Sequence, residues 1–154
     1  MDPDMIKMYN PLRQFATLLG AAFLLIGCSQ AAGPTLTAPE ALEKAQAAEL
    51  TLIDIRTPME WRQTGVAPLA LRIDMQDPKG PEGFADKVLA AVRGDKSAPI
   101  AIICRTGNRT GYMQRELMAR GFSNVYNISE GMAGSTAGPG WIRRGLPIES
   151  CRNC

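Results

Sequence analysis

The chain has 154 residues, which fits one domain of about 100–150 residues and excludes two full catalytic domains. Its 45% apolar and 21% charged residues argue against disorder, fibrous repeats and a polytopic membrane protein. Histidine is absent, which excludes Ser-His-Asp triads, Cys-His pairs and His-based zinc sites, and 17 basic against 15 acidic residues without a long basic run indicate no nucleic-acid partner.

The first segment of the chain has the pattern of an export signal. Lys7 and Arg13 precede an apolar run over residues 15–27. The run is shorter than the roughly 20 residues of a membrane-spanning helix and fits the apolar core of a signal peptide, about 7–15 residues long. It ends at Gly27-Cys28, followed by small and polar residues, and resembles the lipobox of bacterial lipoproteins. An ordinary signal peptide and an uncleaved anchor are the alternatives.

From this pattern we expect a lipoprotein-type signal peptide at residues 1–27 and a tether at 28–36. Cys28 would carry the lipid and hold the protein to a membrane. Ser29, rather than an aspartate, follows Cys28 and favours delivery to the periplasmic face of the outer membrane. The remaining chain divides into a domain at 37–149 and a cysteine-containing tail at 150–154.

Helical and strand patterns alternate along the domain. The helices are predicted at 39–48, 83–92 and 110–120, and the strands at 51–55, 71–73, 99–103 and 124–128. Thr37 before Pro39 and Glu40 is a helix start, and the near-continuous apolar run 99–103 is typical of a strand covered on both faces. Residues 131–140, rich in glycine, are predicted to form a loop. The alternation predicts an α/β fold whose mostly parallel central sheet is flanked by helices, with the site at the carboxyl ends of the strands.

One loop carries the residues best suited to chemistry. Cys104 lies where the strand 99–103 ends, just before the helix 110–120. A tight loop there can direct backbone N–H groups at an anion, and Arg105 and Arg109 add positive charge that favours a thiolate. The pattern indicates a nucleophilic cysteine, and its alternative is a buried structural cysteine.

The domain resembles the rhodanese family. The resemblance rests on the Asp-x-Arg-x-x-x-Glu-aromatic segment at 54–61, the active-site loop at 104–109, and the closing segment at 131–132 with 141–148. It covers most of residues 37–149. It departs at residues 65–70, which lack the histidine-containing form that the family usually shows there.

The resemblance implies a rhodanese-like fold and a sulfurtransferase of the thiosulfate type. Cys104 would take sulfane sulfur from a donor such as thiosulfate as a persulfide, and pass it to cyanide or a thiol. No metal or organic cofactor is implied. Donor and persulfide would be bound by the loop residues Arg105, Thr106, Gly107, Asn108 and Arg109. The alternative for the Arg105 side chain is to point outward into solvent.

Two other functional classes stay open. The first is a non-catalytic or sulfur-carrier rhodanese-like binding module at the membrane. The second is a phosphatase or arsenate reductase-like enzyme. Four residues lie between Cys104 and Arg109, one fewer than in tyrosine-phosphatase-like loops. The shorter loop is narrower and favours a single sulfur atom over a tetrahedral phosphate.

Polar residues outside this loop have simpler interpretations. Asp54 and Arg56 are predicted to be structural rather than acid–base groups, with Arg56 pairing to Glu60 across a turn and Asp54 accepting loop hydrogen bonds. Cys151 and Cys154 could form a disulfide, remain free thiols, or exchange sulfur or disulfides with Cys104. A zinc site is disfavoured because no second cysteine pair or histidine is present.

Overall fold

The computed structural model describes residues 32–154, so the predicted signal peptide and Cys28 lie outside the described residues. The central sheet has five parallel strands in the order β1-β5-β4-β2-β3. Their bounds are β1 Thr35–Leu36, β2 Thr51–Asp54, β3 Leu71–Arg72, β4 Ile100–Ile103 and β5 Val125–Ile128. This confirms the predicted α/β class and the parallel sheet.

Five helices connect and cover the strands. They are α1 Ala38–Gln46, α2 Pro58–Thr64, α3 Gly80–Ala91, α4 Asn108–Ala119 and α5 Gly140–Arg143. The start of α1 is a capping box, in which the Thr37 hydroxyl accepts from the Glu40 amide and the Glu40 carboxylate accepts from the Thr37 amide. Thr57 and Glu60 repeat this arrangement at the start of α2.

The sheet is buried on both faces, and β4 shows how its residues divide. Ile100 and Ile102 join an apolar cluster with α3 and α4, which includes Phe84 and Met113. Ala101 and Ile103 join the opposite cluster, which contains residues of α1 and α5. Because side chains alternate along a strand, this twofold burial explains the continuous apolar run that predicted a central strand.

The strand order reverses between β2 and β4, because β3 lies outside β2 while β5 and β1 lie outside β4. In open α/β sheets, ligand crevices form beside the carboxyl ends of the strands at such a reversal. Asp54 and Ile103 end these two strands and are paired in register. Cys104 therefore follows the sheet at the position where a ligand site is expected.

Three elements were not predicted from the sequence. Thr35–Leu36 forms β1 against β5, which corrects the prediction that all of 28–36 is a tether. This two-residue strand depends on its partner, since the Asn127 amide donates to the Pro34 carbonyl at 3.0 Å. The capping box of Thr57 and Glu60 is a signal for α2 that is present in the sequence. The helix α5 begins at Gly140, where the predicted loop 131–140 ends.

Within residues 32–154, no helix has the length and apolar character needed to cross a bilayer.

Candidate active site

Cys104 is the first residue after β4 and its side chain is fully buried, at 0% exposure. It continues the alternation of β4 and packs with the cluster that includes Ile102 and Met113. It is the free cysteine among the described residues. The strand β4 thus places one thiol where the strand order of the sheet reverses, packed against the apolar core.

Two groups that follow Cys104 contact the sulfur, one in the loop and one in the first turn of α4. The Gly107 amide lies 3.2 Å from Sγ and donates to it, and the Thr110 hydroxyl lies 3.5 Å from Sγ. The same hydroxyl donates to the Gly107 carbonyl at 2.8 Å. Its single proton can serve either that carbonyl or the sulfur, so it can respond to a change of charge on Cys104.

The loop is held by the segment that follows β5. The Met132 amide donates to the Cys104 carbonyl at 2.9 Å, and the Ala133 amide donates to the Arg105 carbonyl at 2.8 Å. Gly107 has φ 87°, and a Cβ there would collide with the backbone carbonyl of Ser129. The close approach of these two backbones therefore requires glycine.

Gly107→Ala is expected to lower the free energy of unfolding much more than Gly94→Ala. Gly94 has nearly the same φ, 85°, but nothing within 4 Å of its Cβ position. The left-handed conformation alone costs alanine about 1–2 kcal/mol, so Gly94→Ala measures this strain and Gly107→Ala adds the collision. Urea unfolding of both variants checks the difference, and equal losses would show that the backbones near Gly107 separate freely.

Arg109 is engaged by a carboxylate of α2. Its Nη1 and Nη2 lie 2.8 and 2.5 Å from the two Glu60 carboxylate oxygens, a bidentate pair. The predicted Arg56–Glu60 pair is wrong, because Glu60 at the capping position of α2 faces Arg109 while Arg56 turns back to Asp54. Hydrogen bonding to Glu60 raises the pKa of Arg109 further, and the charge of a Cys104 thiolate raises it too.

The Glu60–Arg109 pair predicts a specific pH dependence of stability. The hydrogen bond from Arg109 is the main cause that lowers the pKa of Glu60 from 4.5 to about 2. A depressed pKa stabilises the fold above the unfolded value of 4.5, and this contribution is lost as the pH falls towards 2. Glu60→Gln should therefore cost about 1 kcal/mol at neutral pH, since both groups are partly exposed, and less in acid.

Unfolding of Glu60→Gln and the wild-type chain from neutral pH to pH about 2 measures this difference. Glu43→Gln is the control, because Glu43 is exposed and makes no ion pair among residues 32–154. A Glu60→Gln deficit that is constant across this pH range would contradict the ion-pair explanation.

Asp54 and Arg56 form a buried ion pair beside the site. Arg56 Nε lies 2.9 Å from Asp54 Oδ1 and its Nη2 lies 2.7 Å from Oδ2, while the Arg56 amide also donates to Oδ1. The guanidinium further donates to the Thr64 hydroxyl and to the Gly65 carbonyl. These contacts agree with the structural role predicted for Asp54, and they anchor the atypical segment 65–70 to β2.

The remaining predicted site residues lie between the end of β4 and the first residue of α4. Arg105 and Asn108 are exposed, and Thr106 is half-buried. Arg105 forms no salt bridge with a carboxylate of residues 32–154. The roles assigned to Arg105, Thr106, Gly107, Asn108 and Arg109 stay predictions. No cluster of three metal-ligating side chains occurs within the part of the chain that the structure describes.

Comparison with known proteins decides the family. The family model of the rhodanese-like domain matches residues 37–137 of the sequence. The chain belongs to the rhodanese-like family. An uncharacterised protein of Rickettsia prowazekii is 31% identical over 101 residues, covering 62% of this chain and 80% of that protein.

Two solved structures show the same rhodanese-like fold. A crystal structure of a protein from M. tuberculosis has TM-score 0.59 and 26% identity, covering 79% of this chain and 100% of that one. The polysulfide-sulfur transferase homodimer from Wolinella succinogenes has TM-score 0.56 and 23% identity, covering 78% and 80%. At 23% identity, the similarity to the Wolinella succinogenes protein shows a shared fold.

Glu130 is a rhodanese-domain residue that sequence reasoning missed. It follows β5 and is almost fully buried. Its carboxylate accepts from the backbone amides of Ala38 and Gly140 and from the Arg144 guanidinium. Burial raises the pKa of Glu130, but these hydrogen bonds outweigh it and the net pKa is lowered. The available signal was a glutamate two residues after the predicted strand 124–128. It ties α1 and α5 to the segment that supports the Cys104 loop.

Proposed function

We propose that this rhodanese-like protein is a sulfurtransferase that carries sulfane sulfur as a persulfide on Cys104. The observation that carries the proposal is the setting of the sulfur, which is buried at the sheet reversal with the Gly107 amide 3.2 Å away. Membership of the rhodanese-like family supports the same assignment. The exposed Arg105 guanidinium is suited to meet an anionic donor, for which we propose thiosulfate.

The proposed reaction has two displacements. The Cys104 thiolate attacks the outer sulfur of thiosulfate, the sulfur–sulfur bond of the donor breaks, and sulfite leaves with the bonding electron pair. An acceptor such as cyanide or a thiolate then attacks the terminal sulfur of the persulfide, and Cys104 leaves as the thiolate. No electrons are gained or lost by the protein over the cycle, so no redox cofactor is required.

The Cys104 loop and the first turn of α4 supply hydrogen-bond donors for the negative charge that develops on sulfur in these steps. The Gly107 N–H already contacts Sγ, and the Thr110 hydroxyl can turn its proton to the sulfur when charge develops there. A preorganised donor such as the Gly107 N–H stabilises developing negative charge without reorganisation, whereas the Thr110 hydroxyl has to reorient. Arg109 adds positive charge near the loop, and its ion pair with Glu60 holds that charge in place. Because both of its terminal nitrogens donate to Glu60, we assign Arg109 an electrostatic role rather than direct hydrogen bonding to the donor.

Intact-mass spectrometry of the purified protein after exposure to thiosulfate tests the proposal. The expected result is a gain of one sulfur atom, mapped to Cys104 by peptide analysis and removed by cyanide with release of thiocyanate. A chain that binds thiosulfate but never gains sulfur would instead be a non-catalytic rhodanese-like binding module. Gain of sulfur on Cys151 or Cys154 alone would also refute the assignment of Cys104.

We further propose that the protein is exported and lipid-anchored through Cys28, with residues 1–27 as the signal peptide. The support is the short apolar run that ends at the lipobox-like Gly27-Cys28. Cys28→Ala should yield an uncleaved precursor or a soluble exported form and lower recovery in the membrane fraction, while the wild-type protein should resist a high-salt wash because several acyl chains anchor stably. Release of the wild-type protein by salt alone would contradict the lipid anchor.

A further inference from the structure

A second sulfur site lies at the end of the chain. Cys151 and Cys154 form a disulfide within a Cys-x-x-Cys sequence, the spacing found in dithiol redox motifs. Val66 and Glu149 exchange two backbone hydrogen bonds of 2.9 Å and hold the tail against the domain. Cys151 is 7% exposed and packs with Trp61 and Val66. The sulfur-transfer reaction at Cys104 uses none of these residues.

The feature that sets this disulfide apart is the guanidinium beside it. Arg72, the last residue of β3, places Nη1 at 2.8 Å from Cys151 Sγ and at 3.3 Å from Cys154 Sγ. A neutral disulfide gains little from a positive charge, whereas a thiolate gains a charge-assisted hydrogen bond. No carboxylate within residues 32–154 forms a salt bridge with Arg72, so its charge is available to the sulfurs. The arrangement favours the reduced pair.

The surroundings add two further features. Arg62 Nη1 contacts the Cys154 carbonyl and fixes the tail backbone without touching a sulfur. The buried indole N–H of Trp61, in the cluster of Cys151, has no hydrogen-bond partner among the described residues. An unpaired buried donor is costly, and a Cys151 thiolate would place a stronger hydrogen-bond acceptor in this cluster than a disulfide sulfur.

We propose that Cys151 and Cys154 form a thiol–disulfide exchange site that accepts two electrons from a thiol or dithiol partner. The partner thiolate attacks Cys154, the more exposed of the two, and forms a mixed disulfide. The Cys151–Cys154 bond breaks, and Cys151 leaves as a thiolate beside Arg72. A second partner thiolate then attacks the partner sulfur of the mixed disulfide and releases Cys154. The partner ends as its disulfide, and its two thiol protons balance the two cysteine thiols.

Redox titration of the full chain in glutathione buffers tests the site. Mass spectrometry of the alkylated C-terminal peptide reads out the reduced fraction, separately from Cys104. Arg72→Met should shift the equilibrium about tenfold towards the disulfide, or about 30 mV for this two-electron couple. Arg72→Lys, which keeps the charge, should restore most of the shift. Arg62→Met is the matched control, because it removes an arginine contact to the tail backbone and keeps the contact of Arg72 with both sulfurs.

Equal equilibria for the wild-type protein and Arg72→Met would overturn the proposal. A second measurement does not depend on whether that variant folds. Dithiothreitol should reduce the pair in the folded wild-type chain while tryptophan fluorescence stays native, and reduction only upon unfolding would show a purely structural disulfide. Neither readout involves persulfide on Cys104, so this proposal and the sulfurtransferase proposal can fail separately.

Discussion

Replacing Cys104 with serine is expected to abolish thiosulfate-dependent sulfur transfer. A serine hydroxyl can occupy the buried position after β4 but cannot form a persulfide, so both displacement steps lose their nucleophile. The residual rate should fall to that of the uncatalysed reaction between thiosulfate and cyanide. Thiocyanate formation, measured at several donor concentrations, gives the activity of the variant and the wild-type protein.

The double variant Cys151→Ser/Cys154→Ser is the matched control, since it makes the same chemical change at the tail. It should keep sulfur transfer, because the proposed cycle uses neither tail sulfur. A phenyl phosphate ester provides the second control, because the narrow loop is expected to support negligible hydrolysis. Sulfur transfer retained by Cys104→Ser, or phosphatase activity at a comparable rate in the wild-type protein, would refute the assignment.

Arg56→Met is expected to cause the largest loss of stability. Arg56 is 1% exposed and Asp54 is 0% exposed, so removing the guanidinium leaves a carboxylate buried beside the site without its partner. Breaking a buried pair from one side costs about 3–5 kcal/mol. That is a large share of a typical domain stability of about 5–15 kcal/mol, so the variant should unfold at markedly lower urea concentration or temperature.

Two variants show whether the buried pair is the cause. Arg120→Met removes a partly exposed guanidinium from its pair with Glu116, and should cost less than about 1 kcal/mol. In the double variant Asp54→Asn/Arg56→Met, the loss should be smaller than the sum of the two single losses, because the unpaired charge is gone. A loss for Arg56→Met no larger than that for Arg120→Met would contradict the role assigned to the pair.

The position of Cys104 could be predicted from the sequence, and its partners only in part. An apolar run followed by Cys104 and a glycine-containing loop indicates a strand end and a helix start, which are local properties of the chain. The partner of Arg109 was missed, because Glu60 lies 49 positions away in sequence. The role of Glu130 was missed for the same reason, since its carboxylate joins amides from α1 and α5 that only the fold brings together.

What the sequence determined by itself was the α/β class, the strands β2, β3, β4 and β5, the helices α1, α3 and α4, and the cysteine loop. Each follows from periodicity, capping or turn chemistry within a few neighbouring residues. The tertiary structure alone decided the strand order, the short strand β1 and the partners of Arg56, Arg72 and Arg109. These depend on contacts between segments far apart in the chain, and several charged partners are compatible with the same local sequence until packing brings one of them within hydrogen-bond distance.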